Sequence, residues 1–199
     1  MAHGNNFRGG WLPGWVERLY DPFTHSITVI QEPHRMAHDG MMFSVTGKAL
    51  GLADAASYEF LIQTSTAYLH LSKMRVSLGA GDVDIRAYEG ATFSSAGTPL
   101  VIQNTNRNSS NTSPSSWSYT PTLTADGVLI HRIWAVPQGT GIGQTPQGLA
   151  NIEAGEEWIL SPNTSYMFRI TNNSGGPITL SYDFLWYEAT YIDNDGAAQ

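Results

Sequence analysis

The sequence predicts an all-β protein, an antiparallel β-sandwich of jelly-roll-like form with an extended N-terminal arm. The clearest support lies between Tyr166 and Glu188, where apolar and polar side chains alternate with the period of two expected of strands with one buried face. The first strand would bury Tyr166, Phe168 and Ile170. The second would bury Ile178, Leu180, Tyr182, Phe184 and Trp186. Turn-forming residues at 172–177 separate the two, so we predict that they form a hairpin.

The composition is a second observation that favours β structure. Of the 199 residues, 41% are hydrophobic but only 14% are charged, whereas roughly a quarter are charged in typical soluble domains. Much of the polar character comes from Ser, Thr, Asn and Gly, which suit a chain with many turns. The length allows one large domain or two small ones.

Charge and residue types exclude several classes of function. A net charge of −7 argues against a nucleic-acid partner, because phosphate binding needs clustered Lys and Arg. Cysteine is absent, which excludes disulfides and thiolate chemistry. No apolar run has the length of a membrane span, and the N-terminal sequence lacks the pattern of a secretory signal. We therefore expect no membrane partner and synthesis in a cytoplasm.

The third observation is a series of short strand patterns between turn signals, which is typical of a sandwich or barrel. Strands are predicted over Ser26–Ile30, Met41–Thr46, Tyr58–Gln63, Tyr68–Leu78, Val83–Tyr88, Pro99–Gln103, Val128–Val136, Glu157–Leu160, Ser165–Thr171 and Ile178–Glu188. One short helix is predicted over Leu50–Ala56. Two long connections, Asn104–Ser116 and Pro137–Asn151, are either binding elements or solvated loops.

The two ends of the chain differ from this β region, which we place at 26–192. Residues 1–25 combine helix-breaking Gly and Pro with many apolar residues, and disordered tails are poor in aromatics. We therefore interpret 1–25 as an extended arm that lies on a surface. Its candidate contact residues are Phe7, Trp11, Leu12, Trp15, Leu19 and Tyr20. Residues 193–199 are predicted to be a disordered acidic tail.

A search for catalytic and metal-binding patterns yields no candidate catalytic, cofactor or metal site. His34 and His38 have a spacing that suits a metal on a helix, but Pro33 precedes them and we predict a turn there. Asp82 and Asp84 are predicted to lie on a solvated strand face, with Arg86 as a compensating charge. A hydrolase would need a carboxylate pair across a groove. The spacing of the available residues selects no pair among Asp82, Asp84, Glu89, Glu156 and Glu157.

The aromatic residues offer a binding alternative, because exposed coplanar rings can stack against sugars. Trp134 and Trp186 lie in predicted strands and are expected in the core. Trp117 and Tyr119 border the long polar connection and are the better candidates for exposure. They are the predicted stacking residues of a glycan site.

Several segments of the sequence resemble segments of small virion proteins of tailed bacteriophages. These segments are 34–48, 81–112, 127–144, 156–175 and 184–191, and they cover most of the β region. The resemblance implies a non-enzymatic capsid decoration protein, also called a cement protein. Proteins of this kind bind the outer surface of an icosahedral head, commonly through an N-terminal arm, and often form trimers. No family catalytic residue exists to carry over.

The expected partners are accordingly the major capsid protein and further copies of this chain, in a homotrimer. The expected location is the capsid surface of the virion, after synthesis in the host cytoplasm. The alternative is a receptor- or glycan-binding module of a phage tail, with Trp117 and Tyr119 at the sugar site.

Overall fold

The computed structural model describes residues 20–21, 26–27, 32–78, 81–135, 148–152 and 157–189. Within these ranges the chain is nearly all β, as predicted. One helix, α1, spans Glu32–His38. The strands are β1 (Tyr20–Asp21), β2 (Ser26–Ile27), β3 (Met42–Leu52), β4 (Ser57–Gln63), β5 (Tyr68–Leu78), β6 (Val83–Glu89), β7 (Thr92–Ser95), β8 (Thr98–Pro99), β9 (Gln103–Asn104), β10 (Ser116–Tyr119), β11 (Thr122–Ala125), β12 (Val128–Ala135), β13 (Gly148–Ile152), β14 (Trp158–Leu160), β15 (Ser165–Asn172) and β16 (Ile178–Ala189). No helix in this described part is long and apolar enough to cross a membrane.

Two antiparallel sheets form the sandwich. The front sheet has the order β12-β6-β15-β4-β10-β8, and the back sheet has the order β13-β5-β16-β3-β9, with β14 also paired to β5. The order β12-β6-β15-β4 in one sheet, facing β13-β5-β16-β3 in the other, is that of an eight-stranded jelly roll. Strands β7 to β11 are inserted between β6 and β12, and β8, β9 and β10 extend the sheets at the far side.

The core fills the space between the inner faces of the two sheets. It is rich in aromatic side chains that meet edge-to-face or stacked, as their charge distribution favours. Phe60 of β4 meets Phe184 of β16 at 5.1 Å between ring centroids, and Trp117 of β10 stacks on Trp186 of β16 at 4.5 Å. Because these contacts join the sheets, the aromatic faces predicted from the sequence hold the sandwich together.

The predicted hairpin at Tyr166–Glu188 is wrong, although its buried faces are correct. β15 lies in the front sheet between β6 and β4, whereas β16 lies in the back sheet between β5 and β3. The connection 173–177 crosses from one sheet to the other. The two apolar faces therefore point toward each other, with Phe168 and Phe184 at 6.1 Å between ring centroids. A hairpin would have placed both faces on one side of a single sheet, where a further layer would have to cover them.

Four local predictions also differ from the structure. The single strand predicted over Pro99–Gln103 is wrong, because β8 ends at Pro99 in the front sheet and β9 begins at Gln103 in the back sheet. The helix predicted over Leu50–Ala56 is wrong, because β3 continues through Leu52 and a turn follows. The turn predicted at His34–His38 is wrong, because these residues belong to α1. Part of the predicted connection Pro137–Asn151 is strand, since β13 begins at Gly148 and pairs with β5.

The other predicted connection, Asn104–Ser116, folds back on α1 and β3. The side-chain amide of Asn106 donates to the carbonyl of His38 at 2.8 Å, and that of Asn104 donates to the carbonyl of Gly40 at 2.9 Å. The amide of Asn111 also donates to the carbonyl of Gly40, at 3.3 Å. These asparagines satisfy carbonyls at the end of the helix, so this connection has a structural role.

Candidate functional site

Exposed apolar side chains concentrate on one lateral edge of the sandwich. Val128, Leu129 and Ile130 of β12 are exposed there, and Ile159 of β14 is 58% exposed. Ile130 and Ile159 line the same cavity, so the edges of the front and back sheets meet at this side. We call Val128, Leu129, Ile130 and Ile159 the apolar edge.

The backbone of β12 adds a second property to the apolar edge. Within the described ranges, β12 forms a ladder only with β6, and it ends the front sheet. An eight-residue strand with one side unpaired among the described residues presents N–H and C=O groups to any strand that approaches. Monomeric proteins usually protect such strands with charge or proline, but the first three residues here are apolar. The edge is therefore suited to contact with another protein chain.

A cavity of about 460 Å³ opens beneath the apolar edge. At its base the hydroxyl of Tyr166 donates to Glu89 Oε1 at 2.8 Å, and the backbone N–H of Ser161 donates to the same hydroxyl at 2.8 Å. One wall is aromatic, with His131 edge-on to Trp158 at 4.7 Å between ring centroids. The cavity thus combines a hydrogen-bonded polar base with an aromatic wall, which suits an inserted side chain.

Among the described residues, this cavity contains no pair of carboxylates. Burial, reinforced by the bond to Glu89, raises the pKa of Tyr166, so its hydroxyl keeps its proton at neutral pH. Of the carboxylates weighed for acid–base chemistry, Glu89 alone lines the cavity among the described residues. Glu157 lies instead against His70, at 3.3 Å. The described groups offer hydrogen bonds and apolar contact rather than a carboxylate pair.

Trp134 lies on the outer face of the front sheet and is 57% exposed, so the prediction that it belongs to the core is wrong. The guanidinium of Arg132 covers its ring, 4.0 Å from the ring centre. The same Arg132 donates to both oxygens of Asp84 at 2.8 Å, and Arg86 donates to the second at 2.8 Å. The predicted charge compensation by Arg86 is therefore present.

Asp84 itself is buried, and its predicted solvated position is wrong. Burial alone would raise the pKa of Asp84, but the hydrogen bonds from Arg132 and Arg86 outweigh that effect and hold the pKa below its usual value. These two arginines leave Asp84 ionised and paired, which suits a structural role rather than proton transfer.

The two predicted glycan-stacking residues occupy different environments. Trp117 is only 2% exposed and stacks on Trp186, so the prediction of an exposed ring is wrong for it. Its side chain points into the sandwich because β10 pairs with β4 in a register that places Trp117 opposite Ile62, another buried residue. Tyr119, by contrast, is half-buried and stacks on Tyr58 at 5.9 Å between ring centroids.

Tyr119 lines a second cavity, of about 520 Å³, with Tyr58, Tyr182 and Lys48. Gly47 also lines it, and a side chain there would collide with Tyr182, since a Cβ atom would lie 2.3 Å from the tyrosine hydroxyl. Burial is the main cause that raises the pKa of Tyr58 above its usual range. This tyrosine cavity provides aromatic walls and hydroxyl groups, the features that a sugar ring requires.

The candidate arm residues lie almost entirely outside the described residues. Phe7, Trp11, Leu12, Trp15 and Leu19 are in this group. Tyr20 belongs to β1, where it pairs with Ile27 of β2.

One structural site was missed by the sequence reasoning. Glu188 of β16 is 1% exposed and has no cation beside it among the described ion pairs. Its carboxylate accepts hydrogen bonds from four neutral donors instead, which are the Ser113 hydroxyl at 2.5 Å, the Trp186 indole at 3.1 Å, the Ser115 hydroxyl at 3.0 Å and the Ser65 hydroxyl at 3.3 Å. These donors join β16, the end of the 104–116 connection and the turn after β4. We call this group the Glu188 cluster.

Comparison with known proteins adds no family to this description. No protein-family model matches the chain, and no curated protein matches it significantly.

Proposed function

We propose that this protein is a decoration protein of a tailed-phage capsid, which binds the outer surface of the assembled head and stabilises contacts between capsomers. The observation that carries the proposal is the apolar edge, where Ile130, Ile159 and the open side of β12 form a surface suited to another protein chain. The jelly roll is compatible with it, because viral capsid domains use this fold, although lectins and cupins use it too. The resemblance of the sequence to phage virion proteins supports the same class.

In this proposal two different surfaces make the two kinds of contact, one with other copies of the chain and one with the capsid. The apolar edge would join copies of the chain into a trimer, and a neighbouring subunit would place a side chain in the cavity between His131 and Trp158. The N-terminal arm would bind the major capsid protein through aromatic anchors such as Trp11 and Trp15. A few such anchors commonly carry most of the affinity of an interface.

Deletion of residues 1–20 tests the role of the arm. Aromatic hot-spot residues contribute about 2 kcal/mol or more, so loss of two such anchors should lower affinity for purified heads by about 100-fold or more. Sedimentation of the protein with heads that lack it measures the occupancy. Deletion of 193–199 is the matched control and should leave binding unchanged. Undiminished occupancy after the arm deletion, with circular dichroism showing a folded β protein, would exclude the arm as the capsid contact.

A glycan-binding tail module is the second candidate function, and the tyrosine cavity favours it. The wall formed by Tyr58 and Tyr119 could stack against a sugar ring, with the hydroxyl groups and Lys48 available for hydrogen bonds. Trp117 is not part of this candidate glycan site because its side chain is buried.

An array of host polysaccharides tests this candidate. Loss of one stacking ring is worth about 1.4 kcal/mol, so Tyr119→Ala should weaken binding about tenfold, whereas Tyr119→Phe should retain the stacking. If the unmodified protein binds no host polysaccharide, the glycan function is rejected.

A further inference from the structure

His34 and His38 face the same direction on α1, away from the sandwich. Met36, between them in sequence, is buried against Met42 of β3 and Tyr187 of β16. Because two residues correspond to about 200° of rotation on a helix, both histidines lie on the side opposite Met36. Their rings are exposed, and their Nε2 atoms are 3.1 Å apart.

This separation matches two nitrogen ligands of one metal ion. Nitrogens that lie about 2.0–2.1 Å from a zinc ion are about 2.9 Å apart at a right angle and about 3.4 Å apart at the tetrahedral angle. The observed 3.1 Å falls between these values. A hydrogen bond between two neutral imidazoles gives a similar separation, but water competes for both nitrogens at an exposed position.

The helix that presents the pair is fixed to the body of the protein. Met36 anchors its inner face, and the Asn106 side chain donates to the carbonyl of His38 at 2.8 Å. Arg35 and Asp39 form an ion pair at 3.2 Å. Pro33 lies in the first turn, where backbone N–H groups have no partner within the helix. The N–H that proline lacks therefore costs the helix no hydrogen bond. The backbone positions of the two histidines are therefore fixed before any ligand arrives, which leaves only the two side chains to order on binding.

We propose that His34 and His38 form a two-histidine site for a first-row transition-metal ion such as Zn²⁺, with water in the remaining positions. Neutral imidazole is a preferred ligand of these ions. In the described part of the chain no third His, Asp or Glu completes a closed protein site, so the ion stays open to exchange or to a ligand from another molecule. The inference is independent of the proposed capsid role.

Isothermal titration with ZnCl₂ tests the site. His3 and His25 lie outside the described residues, so all proteins carry His3→Ala and His25→Ala to remove their contribution. We expect this parent to bind one equivalent of Zn²⁺. His34→Ala and His38→Ala should each weaken binding by about tenfold or more, since even loss of a ligand's supporting contact costs that much.

Nuclear magnetic resonance of the imidazole protons gives a second readout on the same proteins. Substoichiometric Zn²⁺ should shift or broaden the signals of His34 and His38 and leave that of His131 unchanged. Absence of Zn²⁺ binding by the parent, or equal binding by the parent, His34→Ala and His38→Ala, would overturn the inference. Both histidines are exposed, so the substitutions should leave the fold intact, and circular dichroism checks this.

Discussion

Glu188→Ala is expected to lower the free energy of unfolding by about 3–5 kcal/mol. Hydrogen bonds to a charged group contribute about 1.5–3 kcal/mol each, and the Glu188 cluster contains four. The serine hydroxyls can turn to other acceptors after the substitution. The indole N–H of Trp186 cannot, because that side chain is fully buried, and an unsatisfied donor costs about 1–3 kcal/mol. Urea unfolding followed by tryptophan fluorescence measures the difference.

Glu188→Gln is the matched control for this prediction. Glutamine keeps the shape and one acceptor oxygen, and serine hydroxyls can accept as well as donate. We therefore expect it to cost about 1–2 kcal/mol. Glu188→Ala should also speed amide exchange near Ser113 and Ser115, because the carboxylate holds the end of the 104–116 connection. A Glu188→Ala protein within about 1 kcal/mol of the unmodified protein would contradict this account of the cluster.

The second large effect is expected at the apolar edge. Replacing Ile130 and Ile159 together by aspartate should convert an oligomer into a monomer, because each subunit would bury two unpaired carboxylates in an apolar contact. Such charges cost several kcal/mol each, which corresponds to a loss of at least about 1000-fold in association. Light scattering after size-exclusion chromatography, over a range of micromolar concentrations, measures the mass.

Leu50→Asp with Val101→Asp provides the control for the edge substitutions. These two side chains are also exposed and apolar, but they lie outside the apolar edge. Their replacement should leave the mass of the oligomer unchanged, and neither double variant should lower the melting temperature much. A monomeric unmodified protein, or an oligomer that survives the Ile130 and Ile159 substitutions, would contradict the role of the edge.

Alternation along the chain predicted which faces are buried, but not which strands are neighbours. The apolar positions of β15 and β16 are buried as expected. Their separation into two sheets was not predicted, because a side-chain period of two describes one strand and carries no information about its partners. A short connection rich in Asn and Gly suits a hairpin and also suits a crossing between sheets.

The tryptophans show most clearly that the neighbouring residues in sequence do not predict whether a side chain is exposed. Trp117 follows a polar run of serines yet is buried, because its strand faces the core. Trp134 lies in an apolar strand yet is exposed, because a register shift between Leu129 and His131 places it opposite Asp84, on the outer face of the front sheet. Exposure in these two cases follows from the face of the sheet that each residue occupies. The neighbouring residues in sequence do not determine that face.

The Glu188 cluster and the His34 and His38 pair depend on different scales of folding. The donors to Glu188 include Ser65, 123 residues away in sequence, so no local pattern could have indicated the cluster. The His34 and His38 pair was visible as a spacing, but its geometry required a helix that Pro33 seemed to exclude. Proline in a first turn is compatible with a helix, and this rule would have corrected the prediction.

Electron cryomicroscopy of purified heads, assembled without this protein and then incubated with it, tests the central claim most directly. We predict added density on the outer surface of the shell, at positions that bridge neighbouring capsomers, with the jelly roll fitting each lobe. The same heads incubated with the protein lacking residues 1–20 should stay bare. Bare heads after incubation with the full chain, or density at the tail alone, would contradict the decoration role.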